Sequence, residues 1–281
     1  MPRHREPSLR QDRWNRLGSE RLRALREEPQ RFVPGASPHA GQLCNRELAA
    51  LLEPLAGRRI LELGCGRGEF SAWLARGGAR VTAVDLGRDL VGAARLLAGA
   101  SGADAGFAVA DAARLPFADG SFDLVVGMNV LHHLSEENLA RAVRESHRVL
   151  APGGAAVFYE PVENSRLLGL ARDLVPAPPT AKGRTRRPSI LQRRAWRRHL
   201  EQMDDRSLRT RELMRAGAIF DEVVVRPYGV VVRLKRFVGK RWRKRLPELD
   251  ARLLEAVPFL GRYGRHVLME CRRSAPVSRR S

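Results

Sequence analysis

The sequence predicts an α/β fold built on a mostly parallel β-sheet. Between residues 59 and 160, short apolar segments alternate with amphipathic segments of helical period, and such alternation favours a parallel sheet with right-handed crossovers. A glycine-rich turn follows the first apolar segment, and acidic residues stand at three successive strand ends. The 281 residues suffice for one large domain with additions or for two small ones.

Each element is predicted from its own pattern. The predicted strands are short and aliphatic, and they are residues 59–63, 80–84, 106–110, 122–128, 155–159, 218–225 and 266–271. The predicted helices repeat apolar residues every three or four positions, and they are residues 40–55, 68–77, 89–97, 136–150 and 247–260. We expect Ser135 to cap the helix that follows it. We expect Pro152-Gly153-Gly154 to form a turn before the fifth strand.

Composition excludes several classes of protein. The three cysteines (Cys44, Cys65 and Cys271) form no CxxC pair, so the sequence predicts neither a zinc site nor a disulfide framework, and no metal is expected. No apolar run is long enough to span a bilayer, and the polar, arginine-rich first ten residues do not resemble a secretory signal. We therefore expect a cytoplasmic protein, either free or held peripherally at the inner membrane face.

The basic character of the chain lies in its flanks. The formal net charge is +20, yet residues 58–160 contain 11 basic and 12 acidic residues and carry a net charge of −1, which leaves +21 for the rest. Two runs concentrate this excess, because residues 182–198 and 233–246 each contain eight Lys or Arg and no acid. Such runs indicate contact with an anionic surface or, equally, a solvated face.

The glycine-rich turn predicts a ligand site. It reads Glu62-Leu63-Gly64-Cys65-Gly66-Arg67-Gly68. Its glycines allow a tight bend and a close approach of backbone to ligand, and the next helix aims free N–H groups at that ligand. The spacing is G-x-G-x-G and not the dinucleotide G-x-G-x-x-G, and Glu69 sets a carboxylate where a pyrophosphate would lie. A nicotinamide-dependent oxidoreductase is therefore disfavoured.

Three acids at strand ends indicate which ligand binds there. Glu62 suits an ammonium group, Asp85 suits the two hydroxyls of a ribose, and Asp111 suits the amine of an adenine. Together these three groups describe S-adenosylmethionine. One acid after one strand is more often a cap or turn residue, so the prediction rests on the joint arrangement. We expect Leu86, Ala112 and Asn129 to line the same site.

These segments resemble the class I S-adenosylmethionine-dependent methyltransferase family, small-molecule type. The resemblance covers roughly residues 40–160 and rests on segments 60–68, 84–85, 110–117, 121–126, 131–134 and 148–154. It implies a doubly wound, mostly parallel, Rossmann-like sheet of seven strands whose last strand is antiparallel. We expect helical insertions before strand 6 and between strands 6 and 7.

The resemblance and the charge pattern divide the chain into five segments. They are a basic, partly helical N-terminal segment (1–38), a Rossmann-like core that binds S-adenosylmethionine (39–160), a helical substrate-cap insertion (161–215), C-terminal strands with a basic and helical insertion (216–273), and a disordered tail (274–281).

The family implies transfer of a methyl group to a small-molecule acceptor, leaving S-adenosylhomocysteine. A hydroxyl or acidic carbon acceptor benefits from a general base. His132 and His133 follow the fourth strand, and His133 is favoured because the family often has a histidine there. Glu160 and Tyr159, at the end of the fifth strand, are further catalytic candidates. Each of these residues has an alternative structural role in packing or in backbone hydrogen bonding.

Three hypotheses about the whole protein stay open. The first is a methyltransferase for O- or C-methylation of a lipid, quinone or natural product, with residues 233–246 contacting an anionic membrane. The second is a nucleic-acid methyltransferase that uses the basic flanks, which the absence of a Pro-Pro-aromatic motif disfavours. The third is a non-catalytic partner protein that binds the cofactor. The sequence does not specify the acceptor, the methylated atom or the oligomeric state.

Overall fold

The structure is a computed structural model that describes residues 43–165, 208–232, 239 and 245–275, together with Asp12, Asn15, Ser19 and Arg23. Its centre is a seven-stranded sheet in the order β3-β2-β1-β4-β5-β7-β6. The strands are β1 (Arg59–Leu63), β2 (Arg80–Asp85), β3 (Ala105–Val109), β4 (Phe122–Met128), β5 (Leu150–Pro161), β6 (Glu222–Tyr228) and β7 (His266–Arg272).

Strand direction confirms the predicted fold class. Strands β1 to β5 pair in parallel, whereas β7 pairs antiparallel with both β5 and β6. Leu63 lies beside Val84 of β2 on one side and Gly127 of β4 on the other. The carboxyl ends of these three strands therefore meet at one edge of the sheet.

Helices cover both faces of the sheet. They are α1 (Leu43–Leu52), α2 (Glu69–Arg76), α3 (Arg88–Ala100), α4 (Glu136–Val149), α5 (Thr210–Gly217) and α6 (Leu246–Ala256). Side chains alternate along each strand, so Ile60 joins the apolar cluster beneath α1, α2 and α3, while Leu61 joins the cluster beneath α4 and α5. The sheet is therefore doubly wound. Ser135 caps α4 as predicted, accepting a hydrogen bond from the N–H of Asn138.

Several predicted boundaries and one predicted turn are wrong. Pro152, Gly153 and Gly154 lie inside β5, because Gly153 and Gly154 exchange backbone hydrogen bonds with Arg273, just beyond β7. The sixth strand begins at Glu222 and not at residue 218, because residues 217–220 close a turn after α5. The helix predicted to reach residue 260 ends at Ala256, and a 3-10 helix follows from Pro258, whose missing N–H cannot continue an α-helix.

An inserted helix separates β6 from β7, as predicted. Asp250 of α6 is buried and accepts hydrogen bonds from the N–H groups of Gly229 (2.6 Å) and Val231 (2.5 Å) just after β6. This carboxylate fixes α6 against the end of that strand. The insertion predicted before strand 6 falls mostly on residues 166–207, outside the described residues, as do most of the predicted N-terminal segment and most of the predicted disordered tail. The predicted segment boundaries therefore stay predictions.

In the described residues, the helices are all too short or too polar to cross a bilayer.

Candidate active site

The loop between β1 and α2 is built for close contact with its surroundings. Gly64, Gly66 and Gly68 have φ values of 69°, 54° and 84°. Residues that carry a side chain rarely adopt such positive φ values. A Cβ on Gly64 would lie 2.6 Å from a methyl carbon of Val130, and a Cβ on Gly68 would lie 2.8 Å from the Cβ of Ala94. Glycine is therefore required at these two positions by both conformation and space.

Asp85 joins this loop to the end of β2. Its Oδ2 accepts a hydrogen bond from the N–H of Gly66 (2.9 Å), and its Oδ1 accepts one from the N–H of Gly87 (2.8 Å). A carboxylate has about four acceptor positions, and the ribose contact predicted for Asp85 stays a prediction. Asp85 and the adjacent Leu86 are half-buried at the cleft, where the sequence places them.

Glu62 lies beneath the loop with only 2% of its surface exposed. Its Oε2 accepts a short hydrogen bond from the Ser71 hydroxyl of α2. Burial raises the pKa of this carboxyl to about 7; the Ser71 hydrogen bond opposes the shift, and the negative charges of Asp85 and Glu69 add to it. Contact between Glu62 and a ligand ammonium stays a prediction, and the burial limits that contact to a ligand seated deep in the loop.

The neighbouring Cys65 is also buried. Burial raises the pKa of its thiol well above the usual value. Cys65 is therefore a neutral packing residue in the loop and not a reactive thiolate.

Asp111 closes a tight turn after β3. Its Oδ1 accepts a hydrogen bond from the N–H of Ala113 (3.0 Å), and its backbone pairs with Arg114 in an isolated bridge. Asp111 and Ala112 are half-buried at the same edge of the sheet as Asp85. The adenine contact predicted for them stays a prediction.

The chain turns sharply after β4. Asn129 has a φ of 55°, and its N–H donates to the carbonyl of Tyr159 (2.8 Å). A 3-10 helix, Leu131–His133, follows at once. Because Val130 packs against Gly64, this turn lies directly beside the glycine loop.

Glu160 organises that turn. Its carboxylate is fully buried, and Oε1 accepts hydrogen bonds from the N–H groups of Val130 and Leu131, both at 2.8 Å. Oε2 lies 3.3 Å from the N–H of His132 and 2.8 Å from Nδ1 of the same residue. Glu160, predicted as a catalytic candidate, is thus placed where it holds backbone and imidazole and has no exposed surface for an acceptor.

The other two catalytic candidates occupy different environments. Tyr159 is 5% exposed and stacks on the His266 ring, with centroids 5.1 Å apart, which fits a packing role. The His133 ring packs against the His132 ring at 3.9 Å. The contact with the Glu160 carboxylate is made by His132 and not by His133, which the sequence favoured as the catalytic histidine. The adjacent histidines give no signal of which imidazole faces Glu160.

The assembled residues lie at the topological switch point of the sheet. The strand order runs outward from β1 to β3 on one side and from β4 to β5 on the other, so the order reverses between β1 and β4. In open α/β sheets, ligands bind in the crevice at such a switch point, outside the carboxyl ends of the strands. A groove of about 540 Å³ lies at the opposite, amino edge, lined by Arg59, Arg80 and Asp104 among others. That groove is on the far side of the sheet from every predicted site residue.

Two residues of the N-terminal segment lie at the same edge of the sheet as Asp85. The side-chain oxygen of Asn15 accepts a hydrogen bond from the N–H of Arg88 (2.9 Å), and the Ser19 hydroxyl donates to Asp89. Both contacts fall on the first turn of α3, next to Asp85. Asn15 and Ser19 of the N-terminal segment therefore lie next to the end of β2.

Comparison with known proteins identifies one segment of the chain. Residues 61–158 match a methyltransferase domain family. This segment of the chain is a class I methyltransferase domain. The match contains the glycine loop, Asp85, Asp111 and the turn after β4, which are the parts that carried the predicted resemblance.

Two relatives illustrate the similarity of this methyltransferase domain. The chain is 34% identical over 139 residues to methyltransferase GfsG of Streptomyces halstedii, covering 48% of this chain and 49% of that protein. It is 41% identical over 108 residues to a ubiquinone biosynthesis O-methyltransferase of Xanthomonas axonopodis pv. citri, covering 38% and 44%. The match thus spans about half, or less, of each relative's length.

A solved structure matches nearly the whole chain in fold. The magnesium protoporphyrin IX methyltransferase of Synechocystis PCC 6803, with bound S-adenosylhomocysteine, aligns with a TM-score of 0.55 at 17% identity, covering 94% of this chain and 98% of that one. At this identity the likeness concerns the fold. The recognised family, the fold class and S-adenosylmethionine as the family's cofactor are confirmed.

The residues of the methyltransferase domain fit that cofactor. Gly66 of the glycine loop has open space where a Cβ would stand, and Asp85 accepts a hydrogen bond from its N–H. Glu69 begins α2 and pairs with Arg67, so the helix start carries a carboxylate and suits a ligand without phosphates. Among the described residues, no group of three or more His, Cys, Asp or Glu could hold a metal ion.

Proposed function

We propose that the chain transfers a methyl group from S-adenosylmethionine to a small-molecule acceptor, by O- or C-methylation, and releases S-adenosylhomocysteine. The observation that carries this proposal is the carboxylate of Asp85 beside the Gly64–Gly68 loop, at the switch point between β1 and β4. The relative named as a ubiquinone biosynthesis O-methyltransferase supports acceptors of small size and O-methylation.

In this proposal the protein acts by binding and orientation. The bound cofactor supplies an electrophilic methyl carbon on a sulfonium. The loop backbone from Gly64 to Gly68 would hold the methionine portion, and Asp85 would accept hydrogen bonds from the ribose hydroxyls. Asp111 would accept a hydrogen bond from the adenine amine. Leu86, Ala112 and Asn129 would line the cleft. Holding both reactants in one orientation supplies much of the acceleration of an in-line displacement.

Calorimetric titration with S-adenosylhomocysteine tests the cofactor site. Asp85→Ala should weaken binding by about 1–3 kcal/mol, roughly 5-fold to 150-fold in Kd, because two charge-assisted hydrogen bonds are lost. The matched control is Asp104→Ala, an exposed aspartate at the amino edge of the sheet. Equal affinities for wild type and Asp85→Ala would refute the ribose assignment, and no binding by folded wild type would refute the proposal.

Methyl transfer itself is tested with labelled cofactor. Aqueous, lipid and RNA fractions of host extract serve as acceptors in parallel reactions. Label in the aqueous or lipid fraction supports a small-molecule acceptor, whereas label confined to RNA supports the nucleic-acid hypothesis. Binding of cofactor without label in any fraction supports a non-catalytic partner protein.

An anionic membrane is the surface that we propose for the basic run at residues 233–246. Its eight Lys or Arg alternate with Leu234, Phe237 and Trp242, most of which lie outside the described residues. Nearby in the chain, Phe259 is 61% exposed with the Arg262 guanidinium over its ring at 5.4 Å. Flotation with phosphatidylglycerol vesicles should recover the protein, Phe259→Ser should recover less, and phosphatidylcholine vesicles should recover none. Equal recovery with both lipids would overturn this proposal.

A further inference from the structure

The buried carboxylate of Glu160 contacts both the backbone of the turn after β4 and one ring nitrogen of His132. Three backbone N–H groups, those of Val130, Leu131 and His132, converge on the carboxylate at 2.8–3.3 Å. These bonds hold Glu160 in place, and its second oxygen lies 2.8 Å from Nδ1 of His132. An acceptor at this distance selects the imidazole form that carries its proton on Nδ1.

The same arrangement leaves the other ring nitrogen as an acceptor. With Nδ1 protonated, Nε2 of a neutral imidazole has a lone pair. The His132 side chain is 15% exposed, and within the described ranges its Nε2 makes no hydrogen bond. Among the residues that the structure describes, the charged or titratable groups found in contact with the ring are Glu160 and His133. His132 is therefore oriented as a base, and Glu160 is its orienting partner.

The position of His132 places this base at the cofactor cleft. Its 3-10 helix begins three residues after Met128, the last residue of β4, and directly after Val130. Val130 packs against Gly64 of the glycine loop. The imidazole thus lies on the β4 side of the switch point, where an acceptor would meet the cofactor held on the β1 side.

We propose that Nε2 of His132 is the general base for a hydroxyl acceptor and that Glu160 is a positioning residue. This inference rests on the proposed methyltransferase function and narrows its substrate class to neutral hydroxyls. The acceptor O–H bond breaks and its proton passes to Nε2. The oxygen forms a bond to the methyl carbon while the carbon–sulfur bond breaks, and that electron pair stays on sulfur. One cationic sulfonium is replaced by one imidazolium, so charge balances.

The first test needs no turnover. Long-range proton–nitrogen NMR of the full chain with labelled histidine reports the tautomer of each imidazole, and His132→Asn assigns the His132 signals. We expect His132 to carry its neutral-state proton on Nδ1. Glu160→Asp, which shortens the carboxylate, should shift that population toward Nε2–H. A neutral His132 with its proton on Nε2 in wild type would overturn the inference.

The second test uses two hydroxyl probes of different acidity. Catechol is protonated at neutral pH, whereas 4-nitrocatechol ionises close to neutral pH and needs little help from a base. His132→Asn should lower kcat with catechol by about 100-fold or more, the range typical of general bases, and by less than about 10-fold with 4-nitrocatechol.

Controls separate this inference from the proposed function. His133→Asn, which changes the neighbouring histidine, should keep the difference in rate between the two probes. Every variant must bind S-adenosylhomocysteine with wild-type affinity, which also reports folding. Wild type that fails to bind refutes the proposed function. If wild type binds and His132→Asn lowers kcat equally for both probes, or does not lower it, only the general-base role of His132 is refuted. If neither probe is methylated, the tautomer measurement decides.

Discussion

Replacing Glu62 by Gln should make the protein more stable at neutral pH, which is unusual for a residue next to a binding loop. Glu62 is 2% exposed, and the Ser71 hydroxyl is its hydrogen-bond partner. One neutral donor compensates poorly for the burial of a negative charge. The substitution keeps the shape of the side chain and removes the charge.

The magnitude follows from the pKa of Glu62, which burial raises from 4.5 to about 7. Between these two pH values the unfolded chain loses the proton while the folded protein keeps it, so stability falls as pH rises through this window. At about 1.36 kcal/mol per pKa unit, the full loss is roughly 3 kcal/mol above pH 7. Glu62→Gln lacks this loss, so its advantage over wild type grows from about zero near pH 4.5 to roughly 3 kcal/mol at pH 8.

Urea denaturation of both proteins at several pH values between 4.5 and 8 measures this difference. The free energy of unfolding of the variant minus that of wild type cancels the pH dependence of all other groups, provided both unfold in two states. Glu255→Gln, an exposed glutamate of α6, serves as the control and should show a difference near zero throughout. A Glu62→Gln difference that stays constant with pH would refute the explanation by burial.

Two further predictions concern the same loop. If the ammonium of S-adenosylhomocysteine contacts Glu62, binding at pH 7 should release up to about half a proton, because the nearby cation favours the ionised carboxylate. Calorimetric titrations in buffers of different ionisation enthalpy measure this proton release. If no proton is released, the assignment of the ammonium to Glu62 is wrong. Gly68→Ala should destabilise the fold by about 2 kcal/mol or more, since its Cβ would lie 2.8 Å from Ala94 and its φ is 84°. Gly66→Ala, with open space around it, should cost about half as much in thermal denaturation, and equal costs would contradict the packing argument.

Much of the fold was predictable because its determinants are local. The alternation of apolar segments with amphipathic helices, and the glycines after β1, are properties of neighbouring residues. The turn expected at Pro152–Gly154 failed for the opposite reason. Those residues extend β5 because Arg273, more than a hundred positions later, hydrogen-bonds to their backbone. A sequence pattern around Pro152 contains no signal of that distant partner.

The site was predictable to the level of strand ends and not to the level of individual side chains. Acids at the ends of β1, β2 and β5 were expected at one edge of the sheet, and the parallel pairing places them there. Which histidine meets Glu160 depends on the orientation of a 3-10 turn. That orientation is set by Glu160 itself, through contacts about 30 residues apart in sequence.

Two buried glutamates at this edge show why burial alone does not assign a role. Glu62 and Glu160 both end a strand, and both are almost wholly removed from water. Glu160 is surrounded by three backbone N–H groups and an imidazole, so its charge is matched by fixed donors that the fold supplies. Glu62 has one hydroxyl donor and two negative neighbours. The first arrangement suits a carboxylate that positions the backbone and the imidazole around it. The second suits a carboxyl whose ionisation depends on an incoming cation.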